Sequence, residues 1–303
     1  MNSLLLVLLA QDQPSFRSDV ALVHVDAEVR QGNRLIDDLK KESFRVIDGG
    51  KLQSIVYFGH QEEPLDVILL FDTRGKMRTV VAGVAEAAHT ALSEIRPGDR
   101  VGVMAFGVTA GSCRTDLIAD LTSDFDSAEL TISSQVLQLE FAPGTFGCSV
   151  HSGLVAAAQS LRKLPTGNRR RAIVIVTDDK GAPTRLDVVR DTIHDLWDAD
   201  AVVLCVMVNS GANVVWIGPP YRGARYAAEK TGGDTLATQD AGEGLREMIH
   251  RLRSRYSLYY ALPKGAPGAE KKIKVQLTPE AAKSYPGADV RARTGYLVPG
   301  TSR

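Results

Sequence analysis

Three polar residues stand where an open α/β sheet would place a ligand. Asp72 ends an apolar run over 67–71, Asp178 follows a second apolar run over 172–176, and Thr145 lies in a glycine-flanked loop. The carboxyl ends of parallel strands meet at one edge of a sheet, where such folds bind ligands. Two carboxylates and a hydroxyl are oxygen ligands suited to Mg²⁺ or Ca²⁺. The pattern predicts a metal-type site formed by Asp72, Thr145 and Asp178.

The same residues also have a purely structural interpretation. Asp72 can cap the helix that follows it, Asp178 and Asp179 can cap a later one, and Thr145 can serve only to fix its loop. The sequence favours a site, because all three residues are expected at the same edge of one sheet.

The elements that position these residues alternate between strand-like and helical patterns over residues 65–253. Continuous apolar runs at 67–71, 101–106, 172–177 and 201–208 are typical of strands buried on both faces. Helical periodicity separates them, with one amphipathic helix expected over 77–95. This alternation predicts a doubly wound, mostly parallel sheet with helices on both faces.

The two flanks of the α/β segment are β-rich. Residues 44–47 and 53–58 surround Asp48-Gly49-Gly50, a hairpin signal. Near the other end, residues 272–277 alternate strictly and 290–298 suit one more strand. An isolated hairpin is marginal, so we expect residues 18–62 and 255–298 to pair into one small discontinuous β-domain.

Composition excludes several function classes. The 303 residues carry 36 Lys plus Arg and 36 Asp plus Glu, so no basic excess points to nucleic acid. The run Arg169-Arg170-Arg171 is interpreted as a solvated strand entry. Neither a Gly-x-x-x-x-Gly-Lys loop nor a Gly-x-Gly-x-x-Gly turn is present, which argues against a nucleotide cofactor. No segment reaches membrane-spanning length.

The cysteines and the amino terminus bear on the cellular compartment. Cys205 is expected in the core, whereas the sequence leaves open whether Cys113 and Cys148 meet near the ligand edge. Residues 1–11 include about seven consecutive apolar residues, the lower limit for a signal-peptide core. They are interpreted as a short or truncated export signal, with a frayed apolar terminus as the alternative. An extracytoplasmic protein, periplasmic or secreted, is therefore expected, with a cytoplasmic one as the alternative.

With Asp72, Thr145 and Asp178 in these positions, residues 65–253 resemble the von Willebrand factor type A (VWA) domain. The resemblance implies a metal-ion-dependent adhesion site made of Asp-x-Ser-x-Ser, a later Thr and a later Asp. The whole chain is similar to the VWA-related proteins of Acidobacteria. The segments that carry this closer resemblance are 39–44, 48–50, 256–260, 272–275 and 293–296.

The chain departs from that motif at its two serine positions, which hold Arg74 and Lys76. Guanidinium and ammonium groups have no lone pair for a metal, and they bring positive charge to the place of the cation. Two unit charges about 4 Å apart interact by roughly 4 kcal/mol at an effective dielectric constant near 20. We expect a degenerate, metal-free site in which Arg74 or Lys76 replaces the ion. Mg²⁺ would bind only if both side chains pointed away.

The resemblance implies a non-enzymatic module that binds another protein. Trp216, Ile217 and Tyr221 are candidate contacts, since aromatic residues anchor interfaces. One alternative is a Mg²⁺-dependent phosphotransferase of the haloacid-dehalogenase type, with Asp72, Asp178 and Asp179 in its layout. That motif needs a second Asp where Arg74 stands. The other alternative is a metal-independent structural scaffold.

Overall fold

The computed structural model describes residues 21–60, 63–109, 111–138, 148–165, 169–180, 184–209 and 223–300. The segment 1–11, Thr145, Trp216, Ile217 and Tyr221 lie outside these ranges. The described chain is a mixed α/β fold. Its strands are β1 Leu22–Gln31, β2 Arg34–Leu35, β3 Phe44–Asp48, β4 Lys51–Gln53, β5 Ile55–His60, β6 Leu65–Asp72, β7 Arg100–Thr109, β8 Ser112–Thr122, β9 Arg170–Thr177, β10 Ala201–Val208, β11 Thr235–Thr238, β12 Tyr256–Ala261, β13 Glu270–Leu277, β14 Asp289–Ala292 and β15 Gly295–Leu297. Its α-helices are α1 Met77–Glu86, α2 Ala88–Leu92, α3 Phe125–Leu130, α4 Val150–Arg162, α5 Leu186–Asp198, α6 Ala224–Thr231, α7 Ala241–Arg253 and α8 Pro279–Ser284.

The central sheet has the strand order β11-β10-β9-β6-β7-β8. All neighbours run parallel except β8, which pairs antiparallel with β7. The chain begins this sheet at β6, extends it to one edge through β7 and β8, and returns to the other side of β6 for β9. A ligand crevice in an open α/β sheet lies at such a reversal, outside the carboxyl ends of the two strands. Here those ends are Asp72 on β6 and Thr177 on β9.

Helices pack against both faces of this sheet. On β6, Leu69 and Phe71 join one core with α1, α2 and α7, whereas Ile68 and Leu70 join a second core with α4, α5 and α6. Every residue of β6 is buried. This double burial explains the continuous apolar runs of the sequence. It also holds Asp72 at a fixed position at the end of a rigid strand.

The predicted amphipathic helix over 77–95 is instead two helices, α1 and α2, which are separated at Ala87. Helix α7 crosses at this break. A Cβ on Gly242 of α7 would lie only 2.4 Å from the Cβ of Ala87, so the two backbones approach closely. The interruption thus coincides with a tertiary crossing that the local sequence does not encode.

Two further sheets are formed by the two ends of the chain. One has the order β14-β1-β12-β5, with β2 also paired to β1, and the other has the order β15-β13-β3-β4. Antiparallel pairs join β1 to β12 and β3 to β13. Apolar side chains of both sheets, among them Val25, Tyr256 and Val275, form a third core. The flanks therefore pack on each other, while the division into separate domains stays a prediction.

The hairpin at Asp48-Gly49-Gly50 forms with a shorter second strand than expected. Gly49 and Gly50 adopt φ values of 53° and 82°, which the tight turn requires and glycine tolerates. Strand β3 pairs with β4, and after Ser54 the chain enters the other sheet as β5. The segment 290–298, predicted as one strand, is divided in the same way between β14 and β15.

Strand β1 has one apolar face and one charged face, and both are buried. Val23, Val25, Ala27 and Val29 lie in the third core. The residues that alternate with them face partners across the junction with the central sheet. The pairs are His24 Nδ1 with Asp200 Oδ2 at 2.6 Å, Asp26 Oδ1 with Arg170 Nε at 2.8 Å, Glu28 Oε2 with Arg255 Nη1 at 3.5 Å and Arg30 Nη1 with Asp234 Oδ2 at 2.5 Å.

The prediction that Arg169-Arg170-Arg171 is a solvated strand entry is wrong. Arg170 is fully buried and Arg171 is 7% exposed. Besides Asp26, Arg170 donates to the carbonyl oxygens of Leu252 and Arg255 and to the Ser257 hydroxyl, at 2.9–3.0 Å. A buried guanidinium is tolerated because its N–H groups have such partners. None of the helices in the described ranges is long and apolar enough to cross a membrane.

Asp66, at the amino end of β6, is a buried carboxylate whose charge is compensated by arginine side chains. Its oxygens accept from Arg100 at 2.8 and 2.7 Å and from Arg169 at 2.7 Å. Burial raises the pKa of Asp66, but the hydrogen bonds and charges of the two guanidinium groups outweigh it and hold that pKa below its usual value.

Because the pKa of Asp66 is lower in the folded chain, its contribution to stability is present above about pH 4 and is lost as the pH falls through the folded pKa. We expect Asp66→Asn to lower the free energy of unfolding at pH 7 by about 2–3 kcal/mol. The variant should also lose less stability on acidification than the wild type does. Urea denaturation between neutral and strongly acidic pH measures both effects. Asp191→Asn, at an exposed position, is the control, and equal acid limbs for Asp66→Asn and wild type would contradict the assignment.

Candidate functional site

Asp72 is completely buried at the end of β6, and both of its carboxylate oxygens accept two hydrogen bonds. Oδ1 accepts from the backbone N–H and from Nε of Arg74, both at 2.9 Å. Oδ2 accepts from Arg74 Nη2 at 2.7 Å and from the Thr177 hydroxyl at 2.6 Å. A carboxylate offers about four lone-pair sites, so these four donors leave none open to a cation.

The Arg74 side chain is held in this geometry from three directions. It is 2% exposed, and its guanidinium carbon lies 4.9 Å from the centre of the Phe106 ring. Its Nη1 donates to the Cys148 carbonyl oxygen at 3.0 Å. A turn between β6 and α1 returns the chain toward Asp72, with Gly75 at φ 58°. The two-residue spacing of Asp72 and Arg74 therefore produces a bidentate pair, the strong form of this interaction.

The second basic residue of the motif is not part of this pair. Lys76 is exposed and precedes α1 as its N-cap residue. Within the described ranges it forms no ion pair. Asp72 does not cap α1 either, since its hydrogen bonds go to Arg74 and Thr177.

Asp178 and Asp179 follow β9 and have different surroundings. Asp178 is half-buried and accepts from the backbone N–H of Lys180 at 3.0 Å. The residue of β9 that hydrogen-bonds to Asp72 is its neighbour Thr177, which the sequence analysis did not single out. Neither aspartate caps the next helix, α5, whose N-cap residue is Arg185.

Asp179 lies at φ 49° and caps a more distant helix, α6. It accepts from the backbone N–H groups of Ala224 at 2.7 Å and Arg225 at 3.4 Å. Burial raises the pKa of Asp179 to about 6, although these N–H groups and the charge of Arg74 oppose the rise. The loop after β9 is thereby joined to the amino end of α6.

A disulfide joins the edge strand β8 to the segment before α4. It links Cys113 to Cys148, with 4.8 Å between the Cα atoms. Cys148 is also the residue whose carbonyl accepts from Arg74. The cross-link thus holds one of the acceptors that position the Arg74 side chain.

Comparisons with known proteins find no matching family model and no matching curated protein. The solved structures that resemble this chain include a von Willebrand factor type A protein from Catenulispora acidiphila, 15% identical over 92% of this chain and 75% of that one, with a TM-score of 0.46. An aerotolerance-related membrane protein from Bacteroides fragilis is 16% identical over 62% and 99% of the two chains, with a TM-score of 0.44. The pilus adhesin SpaC from Lactobacillus rhamnosus GG is 10% identical over 85% and 48%, with a TM-score of 0.46.

We expect Arg74→Ala to lower the free energy of unfolding by about 3–5 kcal/mol, because it leaves the buried Asp72 carboxylate without its counter-charge. Lys76→Ala, at the neighbouring exposed position, should stay within about 0.5 kcal/mol of the wild type. Urea denaturation measures both. Equal, small effects of the two substitutions would show that the Asp72–Arg74 pair does not matter for stability.

Proposed function

We propose that this chain is a non-enzymatic, protein-binding module of the VWA type with a degenerate metal-ion-dependent adhesion site. In this proposal a doubly wound α/β domain spans residues 65–253, and the flanks form a small β-domain. Arg74 takes the place of the cation beside Asp72. The partner is another protein, which binds at the sheet edge where β6 and β9 end.

The observation that carries the proposal is the bidentate pairing of Arg74 with Asp72. A divalent ion at Asp72 would have to displace four donors from the carboxylate. It would also come close to a guanidinium that Phe106 and Cys148 hold in place. At about 4 Å and an effective dielectric constant near 20, a divalent ion and a unit positive charge repel by roughly 8 kcal/mol. The described residues of this site therefore do not fit a bound metal.

The same pairing argues against the phosphotransferase alternative. An aspartate nucleophile must present a free lone pair to phosphorus, whereas the Asp72 oxygens are directed at Arg74 and Thr177. The position that would hold a general acid is Arg74 itself. An assay with p-nitrophenyl phosphate tests this alternative, and an activity that Asp72→Asn abolishes would overturn the binding-module proposal.

We propose an extracytoplasmic location. The Cys113–Cys148 disulfide supports it, because such bonds persist in oxidising compartments and are rare in the reducing cytosol.

Restoring the two serines of the motif tests the degenerate site directly. We expect the double variant Arg74→Ser, Lys76→Ser to bind Mg²⁺, because it removes both cations and supplies hydroxyl ligands. Since Mg²⁺ would bind only the folded chain, it should raise the melting temperature of this variant and leave that of the wild type unchanged. Calorimetric titration and thermal denaturation measure this. The triple variant that also carries Asp178→Ala is the control, and tight Mg²⁺ binding by the wild type that Asp178→Ala abolishes would refute the degenerate site.

Site-specific photo-cross-linking tests the binding edge. A photoreactive residue is placed at Lys76 or at Leu186, which is 66% exposed at the start of α5. The matched control is Arg96, exposed in the loop before β7 at the opposite end of the sheet. We expect protein adducts from positions 76 and 186 in an extract of the source organism, unchanged by EDTA. Equal adducts at position 96, or adducts that EDTA abolishes, would contradict the proposal.

A further inference from the structure

A second cluster of ionisable groups lies at the junction between β1 and the central sheet, away from Asp72. It consists of His24 and Asp26 on β1, Glu63 in the link to β6, and Asp200 just before β10. One ring nitrogen of His24 and one carboxylate oxygen each of Asp26 and Glu63 lie within 4.8 Å of one another.

The hydrogen bond to Asp200 determines which nitrogen of His24 is open. Nδ1 lies 2.6 Å from Asp200 Oδ2, so it carries the proton that this carboxylate accepts. Nε2 is then the atom that faces Asp26, at 3.5 Å from Oδ1, and it is buried without a hydrogen-bond partner. A neutral nitrogen lone pair directed at a carboxylate is repelled by it. Either a proton on Nε2 or a metal ion between the two groups removes this repulsion.

Glu63 adds a second unsatisfied atom to the cluster. The side chain is 3% exposed. Its Oε2 accepts from the Ser257 hydroxyl at 2.5 Å, whereas Oε1 is buried without a hydrogen-bond partner. A proton on His24 Nε2 would leave Glu63 Oε1 unsatisfied. One metal ion would satisfy the histidine nitrogen and both carboxylates together.

We propose that His24, Asp26 and Glu63 bind a divalent transition-metal ion of the Zn²⁺, Mn²⁺ or Fe²⁺ class. One imidazole and two carboxylates are a donor set that these ions accept. Asp200 is the positioning residue, since a ligating histidine commonly donates its other N–H to a carboxylate. Atoms bound about 2.1 Å from a tetrahedral ion lie about 3.4 Å apart, so the side chains move together by about an ångström on binding.

The arginine in this cluster does not close the site as Arg74 closes Asp72. Arg170 Nε donates to Oδ1 of Asp26, and the Ser257 oxygen lies 3.0 Å from the same atom while its single proton is directed at Glu63. Arg170 Nη2 also lies 3.7 Å from Oε2 of Glu63, so the guanidinium contacts one oxygen of each carboxylate and covers neither of them as a two-pronged fork. The three carboxylates are opposed by Arg170 and by Arg293, which pairs with Asp200 at 2.8 Å.

The ion would join elements that lie far apart in the sequence. It would connect β1 and the link before β6, while Asp200 ties His24 to the start of β10. The His24 side chain is 11% exposed, which gives the ion a path of entry.

A proton is the competing occupant of Nε2. Burial lowers the pKa of His24, but Asp200 and Asp26 raise it further, to about 10.

The experiment uses the full chain after dialysis against EDTA, with Zn²⁺ in calorimetric titration and Co²⁺ as a spectroscopic probe. We expect one Zn²⁺ per chain, tighter binding at pH 8.5 than at pH 6.5, and Co²⁺ absorption typical of mixed nitrogen and oxygen ligation. His24→Gln and Glu63→Gln should weaken Zn²⁺ binding at least about tenfold, and Asp200→Asn about 10–100-fold.

Two controls keep this site distinct from the Asp72 site. Asp178→Ala and His250→Gln, the latter at an exposed histidine, should bind Zn²⁺ as the wild type does. The ¹⁵N shifts of the imidazole rings give a readout that requires no variant. A His24 Nε2 that keeps its proton in excess Zn²⁺ would overturn the proposal, as would binding lost in Asp178→Ala and kept in His24→Gln.

Discussion

The buried guanidinium of Arg170 is the interaction on which the arrangement of the whole chain depends. Removing a charge from water is costly unless every donor finds an acceptor. Arg170 stands at the first position of the central strand β9, and its acceptors are supplied by β1, β12 and the end of α7. The central sheet and the two flanking sheets can therefore satisfy this charge only together. The packing of the two parts is fixed by hydrogen-bond direction as well as by apolar area.

Arginine also determines the chemistry at two carboxylates, with opposite results. At Asp72 the fork of Arg74 covers both oxygens from one side, with Thr177 adding the fourth donor. At Asp26 the guanidinium approaches one oxygen, while Glu63 and His24 keep unsatisfied atoms nearby. The two sites contain similar residue types. The number of acceptor lone pairs that the arginine leaves free separates a closed ion pair from a cation site.

Much of this could be predicted from the sequence where the determinant is local. Continuous apolar runs indicated the α/β part, because strands that are buried on both faces carry apolar residues on both faces. The basic residues after Asp72 indicated that Arg74 or Lys76 would neutralise it, and the structure shows that Arg74 forms the pair. Thr177 and the Cys148 carbonyl could not be predicted as partners, because they depend on which strand lies beside β6 and on a disulfide. The passage of the chain at Ser54 from the sheet of β3 and β4 to the sheet of β5 depends on the strands with which β5 pairs.

The environment of the charged face of β1 also could not be predicted from the sequence alone. Alternating apolar and charged residues are typical of a strand with one face in water, and His24, Asp26, Glu28 and Arg30 follow that pattern. Their burial results from a second layer of structure placed over this face. The binary pattern of a strand reports its polarity. Only the tertiary structure shows whether its polar side chains interact with solvent or with other charged groups.

The pairing of β1 with β12 has a consequence for the order of folding. The partner of the amino-terminal strand is made only after the central α/β segment has left the ribosome. Until then β1 has an apolar face and one edge without its partner β12, the features of a strand prone to pair with other chains. The α/β segment, whose contacts are more local, can fold first and offer Arg170 and Asp200 as docking points. Before β12 is made, the charged residues of β1 keep the strand soluble. In the folded chain the same residues form ion pairs with Arg170 and Asp200.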